Sequence, residues 1–164
     1  MAIDIFLKID GIEGESVDSR HPKEIEVESY TWGVQQVPNL GVGAESPLGV
    51  PRKGGGGAKA SFQDLTFTHR LDKASPKLIE ACATGAVIPQ ALLVLRKAGA
   101  KPLEFSKVTL TDVTVSSVSF SAGSSDAVPM EEVALRYGSV TIQYFPQKAD
   151  GSADAPITTT CQTK

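Results

Sequence analysis

The stretch LEFSKVTLTDVTVSSVSF, residues 103–120, is rich in valine, threonine and serine, which suit the pleated surface of a β-strand. Its apolar residues change sides of the strand within residues 113–120, which predicts β-bulges that curl it. A polar turn follows at residues 121–129, and residues 131–145 again alternate between apolar and polar. The two stretches therefore predict a long antiparallel hairpin.

Four further stretches have strand character. Residues 3–9 alternate cleanly between apolar and polar, and residues 60–71 do so less regularly. Residues 87–97 contain the nearly continuous apolar run ALLVL, which indicates a strand covered on both faces. Residues 24–36 form a second strand whose apolar residues change parity, so either a bulge intervenes or both faces are covered.

The only strong helix signal covers about residues 75–84. Ser75 can cap the first turn, Pro76 sits where a missing N–H is tolerated, and Gly85 can end the helix. The apolar stripe of this helix is narrow, so we expect it to lie on a sheet. The stripe consists of Leu78, Ile79 and Cys82.

Together these signals predict a mainly β fold of about eight strands with one short flanking helix. Two packed antiparallel sheets or a β-barrel would bury the strand faces, and closure would also limit exposed edges. The chain of 164 residues is expected to form a single domain over residues 1–164. Residues 147–164 read as a weakly packed C-terminal tail.

Residues 37–59 differ from the rest of the chain. They contain Pro38, Pro47 and Pro51, together with glycines that culminate in the run Gly54–Gly57. A connection of this length is uncommon inside a compact domain and is usually either functional or mobile. We therefore predict a long protruding loop over about residues 37–59.

Composition and charge exclude several classes of protein. The net charge of −3 and the pI of about 5.4 argue against a nucleic-acid binder, which needs clustered Lys and Arg residues. No apolar run approaches the ~20 residues that cross a bilayer, so we expect no membrane insertion. Residues 1–8 lack the basic leader and apolar core of a signal peptide. Synthesis in the cytoplasm is therefore expected, with any export using another route.

No motif for catalysis, for a cofactor or for a metal is present. His21 and His69 have no Cys or His neighbours with which to hold zinc. Cys82 and Cys161 are far apart in sequence and are interpreted as free thiols. The glycine run precedes a strand rather than a helix, so it does not form a phosphate loop. We predict that the chain is not an enzyme and binds no cofactor.

An ordered set of short motifs resembles the hemolysin-coregulated protein (Hcp) family, the tube subunit of type VI secretion. The set spans nearly the whole chain: MAIDIFLKI at residues 1–9 with GES at 14–16, EIEV at 24–27 leading to WG at 32–33, QDL at 63–65, DKASP at 72–76 with AC at 81–82, RKAG at 96–99, VSSVS at 115–119 and YFPQKADG at 144–151. Each motif alone is weak, but their order is specific.

This resemblance implies a β-barrel subunit of which six copies form a ring, and rings that stack into a hollow tube. A contractile sheath would surround the tube, a spike protein would sit at its tip, and small effector proteins would travel in the lumen. Thr31 matches a lumen-facing position of the family, although it could equally be an ordinary surface threonine. The long loop would reach a neighbouring subunit or ring, with contacts expected at Val37, Pro38, Pro47, Pro51, Arg52 and Lys53.

Two alternatives remain open from the residues. The first is the tail-tube protein of a related phage-like contractile system, which has the same physical requirements. The second is a secreted β-sandwich binding module, for which Trp32 and three tyrosines would be the only aromatic contacts of the kind that such modules use.

Overall fold

The computed structural model describes residues 2–37 and 59–163, and these form eleven β-strands and one α-helix. The strands are β1 (Ile3–Ile9), β2 (Ile25–Glu26), β3 (Ser29–Thr31), β4 (Val34–Val37), β5 (Lys59–Phe62), β6 (Leu65–Arg70), β7 (Ile88–Lys97), β8 (Leu103–Ser121), β9 (Met130–Arg136), β10 (Ser139–Tyr144) and β11 (Ile157–Gln162), and the helix is α1 (Ser75–Thr84).

The long strand β8 confirms the strand predicted over residues 103–120 and pairs with three other strands. Its first half pairs with β7 on one side and with β10 on the other, and its second half pairs with β9. All these pairings are antiparallel. The register between β8 and β9 shifts between Val115 and Ser117, which confirms an irregularity in the predicted region.

The larger sheet runs in the order β2-β1-β7-β8-β9-β6-β3, and its two end strands are neighbours in sequence. Val27 and Glu28 connect them: the Val27 N–H donates to the Ile5 carbonyl at 2.9 Å, and the Glu28 N–H donates to the Thr68 carbonyl at 2.8 Å. The sheet therefore curls until its ends meet, but its strand ladder does not close into a barrel. The second sheet consists of β4 and β5, and the fold class is confirmed as mainly β with two antiparallel sheets and one helix.

The core lies inside the curl of the larger sheet. Because successive residues of a strand point to opposite faces, alternate residues of β1, β6, β8 and β9 enter this core. Fully burying one aliphatic or aromatic side chain stabilises the fold by about 1.5–3 kcal/mol. The largest fully buried apolar side chains are Phe67, Leu7, Ile25, Leu65, Leu78, Leu93, Leu110 and Leu135.

The structure has eleven strands in the described residues where about eight were expected, because three expected strands are interrupted and β11 lies in the segment read as a tail. Residues 24–36 form β2, β3 and β4, since the chain first pairs with β1, then with β6, and then leaves the larger sheet. Residues 60–71 are divided between β5 and β6 for the same reason. Residues 131–145 are divided at Tyr137-Gly138, where the chain changes from one part of β8 to another.

Helix α1 confirms the predicted range, with proline in its first turn and Gly85 ending it in a left-handed conformation at φ 66°. The prediction that Ser75 caps it is wrong, because Ser75 lies buried inside the first turn and no side chain caps the N-terminus. Instead, Asp72 Oδ1 accepts the Ala74 N–H at 2.8 Å just before the helix. The predicted apolar stripe is also rotated, because Ala81 is buried while Ile79 is 42% exposed.

The C-terminal segment interpreted as a tail contains β11, which pairs with β10 at six positions. Its side chains are exposed apart from the half-buried Cys161. Within the ranges given above, no helix is both long and apolar enough to span a membrane.

Candidate assembly surfaces

Small side chains lie in register across the outward face of strands β3, β6, β9 and β8. Thr31 of β3 pairs with Thr66 of β6, which pairs with Ala134 of β9. Ala134 pairs in turn with Ser117 of β8. Thr31 and Ser117 are exposed, and the two residues between them are half-buried. Thr31 therefore lies at one edge of a shallow surface that crosses four strands.

A second row runs parallel to the first. Ser29 pairs with Thr68, and their hydroxyl oxygens are 2.6 Å apart. Thr68 pairs with Glu132, which pairs with Ser119. The two rows together have only one charged side chain, that of Glu132. We call this surface the hydroxyl face, and its residues are Ser29, Thr31, Thr66, Thr68, Ser117, Ser119, Glu132 and Ala134.

The reverse side of these strands is apolar and packed. Phe67 and Val133 are fully buried, and Tyr30 and Val118 pack against the core from the two outer strands. Because neighbouring residues of a strand point to opposite sides, this packing turns the hydroxyl face to the outside. The position of the face is thus fixed by the core.

A buried ionisable cluster lies at one end of the same strands. His69 and Glu131 are cross-strand partners with no exposed surface, and His69 Nε2 is 3.4 Å from Glu131 Oε1. Asp72 Oδ2 lies 3.8 Å from His69 Nδ1. Burial lowers the pKa of His69, but the carboxylates of Asp72 and Glu131 outweigh it, so the pKa is raised. Glu131 is buried whereas its neighbour Glu132 is exposed, and no sequence signal indicated the pair of His69 and Glu131.

The hairpin of β4 and β5 is attached to the larger sheet through Trp32. Trp32 Nε1 donates a hydrogen bond to the Tyr137 hydroxyl, which donates to the Gln63 carbonyl at 2.8 Å. The Gln63 N–H donates to the Gly33 carbonyl at 3.0 Å and so joins the two strands at their base. Burial is the main reason why the pKa of Tyr137 is raised.

This hairpin includes both ends of the predicted loop. Val37 pairs with Lys59, so the two ends of the loop lie side by side as neighbours on adjacent strands. The other predicted contact residues, Pro38, Pro47, Pro51, Arg52 and Lys53, lie outside the described residues.

The connection between β1 and β2 is held against the larger sheet by Arg96. Its guanidinium donates to Asp18 Oδ2 at 2.7 Å and to Asp4 Oδ2 at 2.9 Å. The hydrogen bond from Arg96 is the largest cause of the lowered pKa of Asp18. Arg96 also lies over the ring of Phe6, 4.9 Å from its centroid.

His21 makes a second attachment for the same connection. Its ring stacks on Phe6 with the centroids 4.4 Å apart, and its nitrogens lie 2.9 Å from Glu24 Oε2 and 2.7 Å from Glu104 Oε1. Burial raises the pKa of Glu24 despite the nearby His21. Sequence reasoning missed the contact between His21 and Glu104, because 83 positions separate the two residues and no local pattern links them.

The ionisable side chains around His21 and Arg96 are paired with one another. The surface depression beside β1, of about 420 Å³, includes Arg96, Asp4 and Asp18, which are already paired with one another. No group of three or more His, Cys, Asp or Glu residues within 2–37 and 59–163 could hold a metal ion. Cys82 and Cys161 are free, half-buried thiols.

Comparison with known proteins identifies one family over most of the chain. Residues 6–144 match the family model described as type VI secretion system effector, Hcp. Protein hcp1 of Pseudomonas aeruginosa is 41% identical over 155 residues, which cover 94% of this chain and 90% of that protein.

Solved structures of type VI secretion proteins have the same fold as this chain. The crystal structure of Hcp1 from Salmonella typhimurium has a TM-score of 0.77 at 40% identity, covering 99% of this chain and 96% of that one. A type VI secretion system effector from Yersinia pestis has a TM-score of 0.76 at 36% identity, covering 97% and 99%. The chain therefore belongs to the Hcp family of type VI secretion tube proteins.

Proposed function

We propose that this chain is the structural subunit of a type VI secretion inner tube. Six copies form a ring, the rings stack into a hollow tube, and the tube is secreted on firing with small effectors in its lumen. The observation that carries this proposal is the family match, which extends over residues 6–144 and is accompanied by relatives of nearly the same length. A spike protein at the tip and a contractile sheath around the tube are the further partners.

The hydroxyl face is the proposed wall of the lumen, with Thr31 as a contact for effectors. A channel for different cargo proteins needs a surface that neither repels them nor holds them tightly. Short hydroxyl side chains offer hydrogen bonds without an apolar patch, and patches of that kind mark stable interfaces. A single charged residue, Glu132, leaves the face close to neutral.

The segment 37–59 is the proposed contact between copies. A tube needs one contact that closes a ring and another that repeats from ring to ring. Val37 enters this segment from the hairpin, and Pro38, Pro47, Pro51, Arg52 and Lys53 are the further contact candidates. The hairpin supports this role because its strands pair only with each other in the described part of the chain.

We also infer that the chain has no enzymatic role and needs neither a cofactor nor nucleic acid. The support is that His21, Arg96 and the carboxylates around them hold one another in place. As a secreted protein of this family, the chain is proposed to be made in the cytoplasm and exported by the type VI machine itself, without a cleaved signal peptide or insertion into a membrane.

Thiol labelling of the purified assembly tests the lumen assignment. Thr31→Cys is compared with Lys77→Cys on α1, in a background in which Cys82 and Cys161 are alanine; both Thr31 and Lys77 are exposed in the single chain. A small maleimide should label both variants at similar rates. A 5-kDa polyethylene glycol maleimide, which is roughly as large as a small protein domain, should label Thr31→Cys more slowly than Lys77→Cys. Equal rates with the large reagent would refute the lumen position.

A further inference from the structure

We propose that the open edge of β11 in one copy pairs with the open edge of β4 in a neighbouring copy. The two-stranded hairpin would thereby become a three-stranded sheet that crosses the boundary between subunits. This inference rests on the proposed ring, and it assigns a defined backbone contact to the copies within it.

The hydrogen bonds of β11 show which of its groups face outward. The Thr163 N–H donates to the Gly138 carbonyl at 3.0 Å, just beyond the end of the strand pair. Because antiparallel ladders alternate, Ile157, Thr159 and Cys161 direct their backbone groups to β10. The N–H and C=O groups of Thr158, Thr160 and Gln162 therefore point to the side on which the described chain places no strand.

The sequence of β11 lacks the features that protect natural edge strands. Lysine, proline and bulges usually prevent an edge from pairing with another chain. The strand ITTTCQ contains no charge, proline or glycine, and it pairs with β10 without a shift in register. Ile157 and its cross-strand partner Tyr144 are 68% and 51% exposed, which adds an apolar contact at one end.

Strand β4 has a similar edge. Its sequence VQQV carries no charge, whereas the other strand of the hairpin begins with the exposed Lys59. The hydrogen bond from the Gln63 N–H to the Gly33 carbonyl sets the alternation, so that Val34 and Gln36 direct their backbone groups away from β5. Val34 is also 50% exposed.

A second copy is the occupant that fits both edges. A hairpin of two strands is only marginally stable in water, and a third strand increases its stability. Each copy offers β4 and β11 as two different surfaces, and they are not paired with each other within the chain. Contact between unlike surfaces is head-to-tail, which closes into a ring when the rotation is right.

Cross-linking of single-cysteine variants tests the pairing. Gln36→Cys and Thr160→Cys are made in the background without Cys82 and Cys161 and treated with a short bismaleimide. We expect covalent dimers when the two variants are mixed and not when either is alone, and a ladder that ends at the closed ring when one chain carries both cysteines. Lys77→Cys mixed with Gln36→Cys is the control and should give no dimer.

A proline substitution gives an independent readout. Thr160→Pro removes an N–H that points away from β10, so its melting temperature should stay within a few degrees of wild type while ring formation falls at least about tenfold. Dimers of Thr160→Cys alone would mean that β11 pairs with itself and would overturn the proposal. If wild type and Thr160→Pro both form rings, and the mixture of Gln36→Cys and Thr160→Cys gives no cross-links, this contact is refuted but the tube function is not. No rings in wild type would refute the tube function itself.

Discussion

The larger sheet and the hairpin of β4 and β5 differ in how their backbone N–H and C=O groups are hydrogen-bonded. In the larger sheet, each of the strands β6, β7, β8 and β9 is hydrogen-bonded to a strand on both sides. The two ends of this sheet meet through Val27 and Glu28. The hairpin pairs only with itself in the described residues and is held at its base by Trp32. We infer two separate tasks from this difference: the curled sheet makes a stable subunit, and the hairpin is the proposed contact with other copies. Changes in the first should unfold the subunit, and changes in the second should affect assembly.

The largest effect is expected in the core of the larger sheet. Phe67→Ala removes a fully buried ring and should lower the free energy of unfolding by about 3–5 kcal/mol, because lost burial and a cavity add together. Its neighbour Thr68 points outward, so Thr68→Ala is the matched control and should stay within about 1 kcal/mol of wild type. Urea unfolding of both variants measures this, and equal losses would contradict the assignment of faces.

A smaller loss of stability is expected when the connection between β1 and β2 is detached from the sheet. Arg96→Met removes the guanidinium that lies over the ring of Phe6 and between Asp4 and Asp18, which should cost about 2 kcal/mol. Lys77→Met removes only an exposed pair with Glu80 and should cost less than about 1 kcal/mol. Thermal unfolding monitored by circular dichroism compares the two, and an unchanged Arg96→Met protein would refute this attachment.

The His69–Glu131 pair should make stability depend on pH. The folded-state pKa of His69 is raised above its ordinary value of 6.5, so its contribution is fully present below pH 6.5 and is lost as pH rises through the folded-state pKa. Urea unfolding should therefore show falling stability above pH 6.5. His69→Gln should flatten this dependence, and an identical profile in wild type and variant would contradict the role of His69.

The smallest effect on stability is expected at the base of the hairpin. Trp32→Phe removes the hydrogen bond to Tyr137 while keeping an aromatic ring, which should cost about 1 kcal/mol. Ring assembly should weaken by more than this loss of stability accounts for, because the hydrogen bond that fixes the orientation of the hairpin is lost. Sedimentation velocity at several protein concentrations measures the assembly; if assembly is unchanged, Trp32 does not orient the hairpin.

Local sequence signals predicted the elements that depend on neighbours in the chain. Strands β1, β7 and β8 and the end of α1 at Gly85 follow from alternation, apolar runs and a left-handed glycine. The N-terminus of α1 was misread because Ser75 lies inside the first turn, where its hydroxyl accepts the N–H of Asp72 rather than an N–H of the helix. Strand β11 was missed because ITTTCQ has no apolar alternation and is stabilised by pairing with β10.

The contacts that local patterns could not predict join distant parts of the chain. His21 meets Glu104, and Trp32 meets Tyr137, because pairing between strands that are distant in sequence brings these segments together. Thr31 was identified from a resemblance to a family, and its place on the hydroxyl face required the registers of four strands. Its role in the lumen remains a prediction.

Negative-stain imaging of the purified protein tests the central claim most directly. Wild type is compared with a variant in which residues 38–58 are replaced by a short Gly-Ser turn, which the pairing of Val37 with Lys59 can accommodate. We expect wild type to form rings of uniform diameter with a central hole, and the variant to melt at the same temperature but form far fewer rings. A wild-type protein that stays monomeric at high concentration would contradict the tube function, and equal ring formation by the variant would contradict the role of segment 37–59.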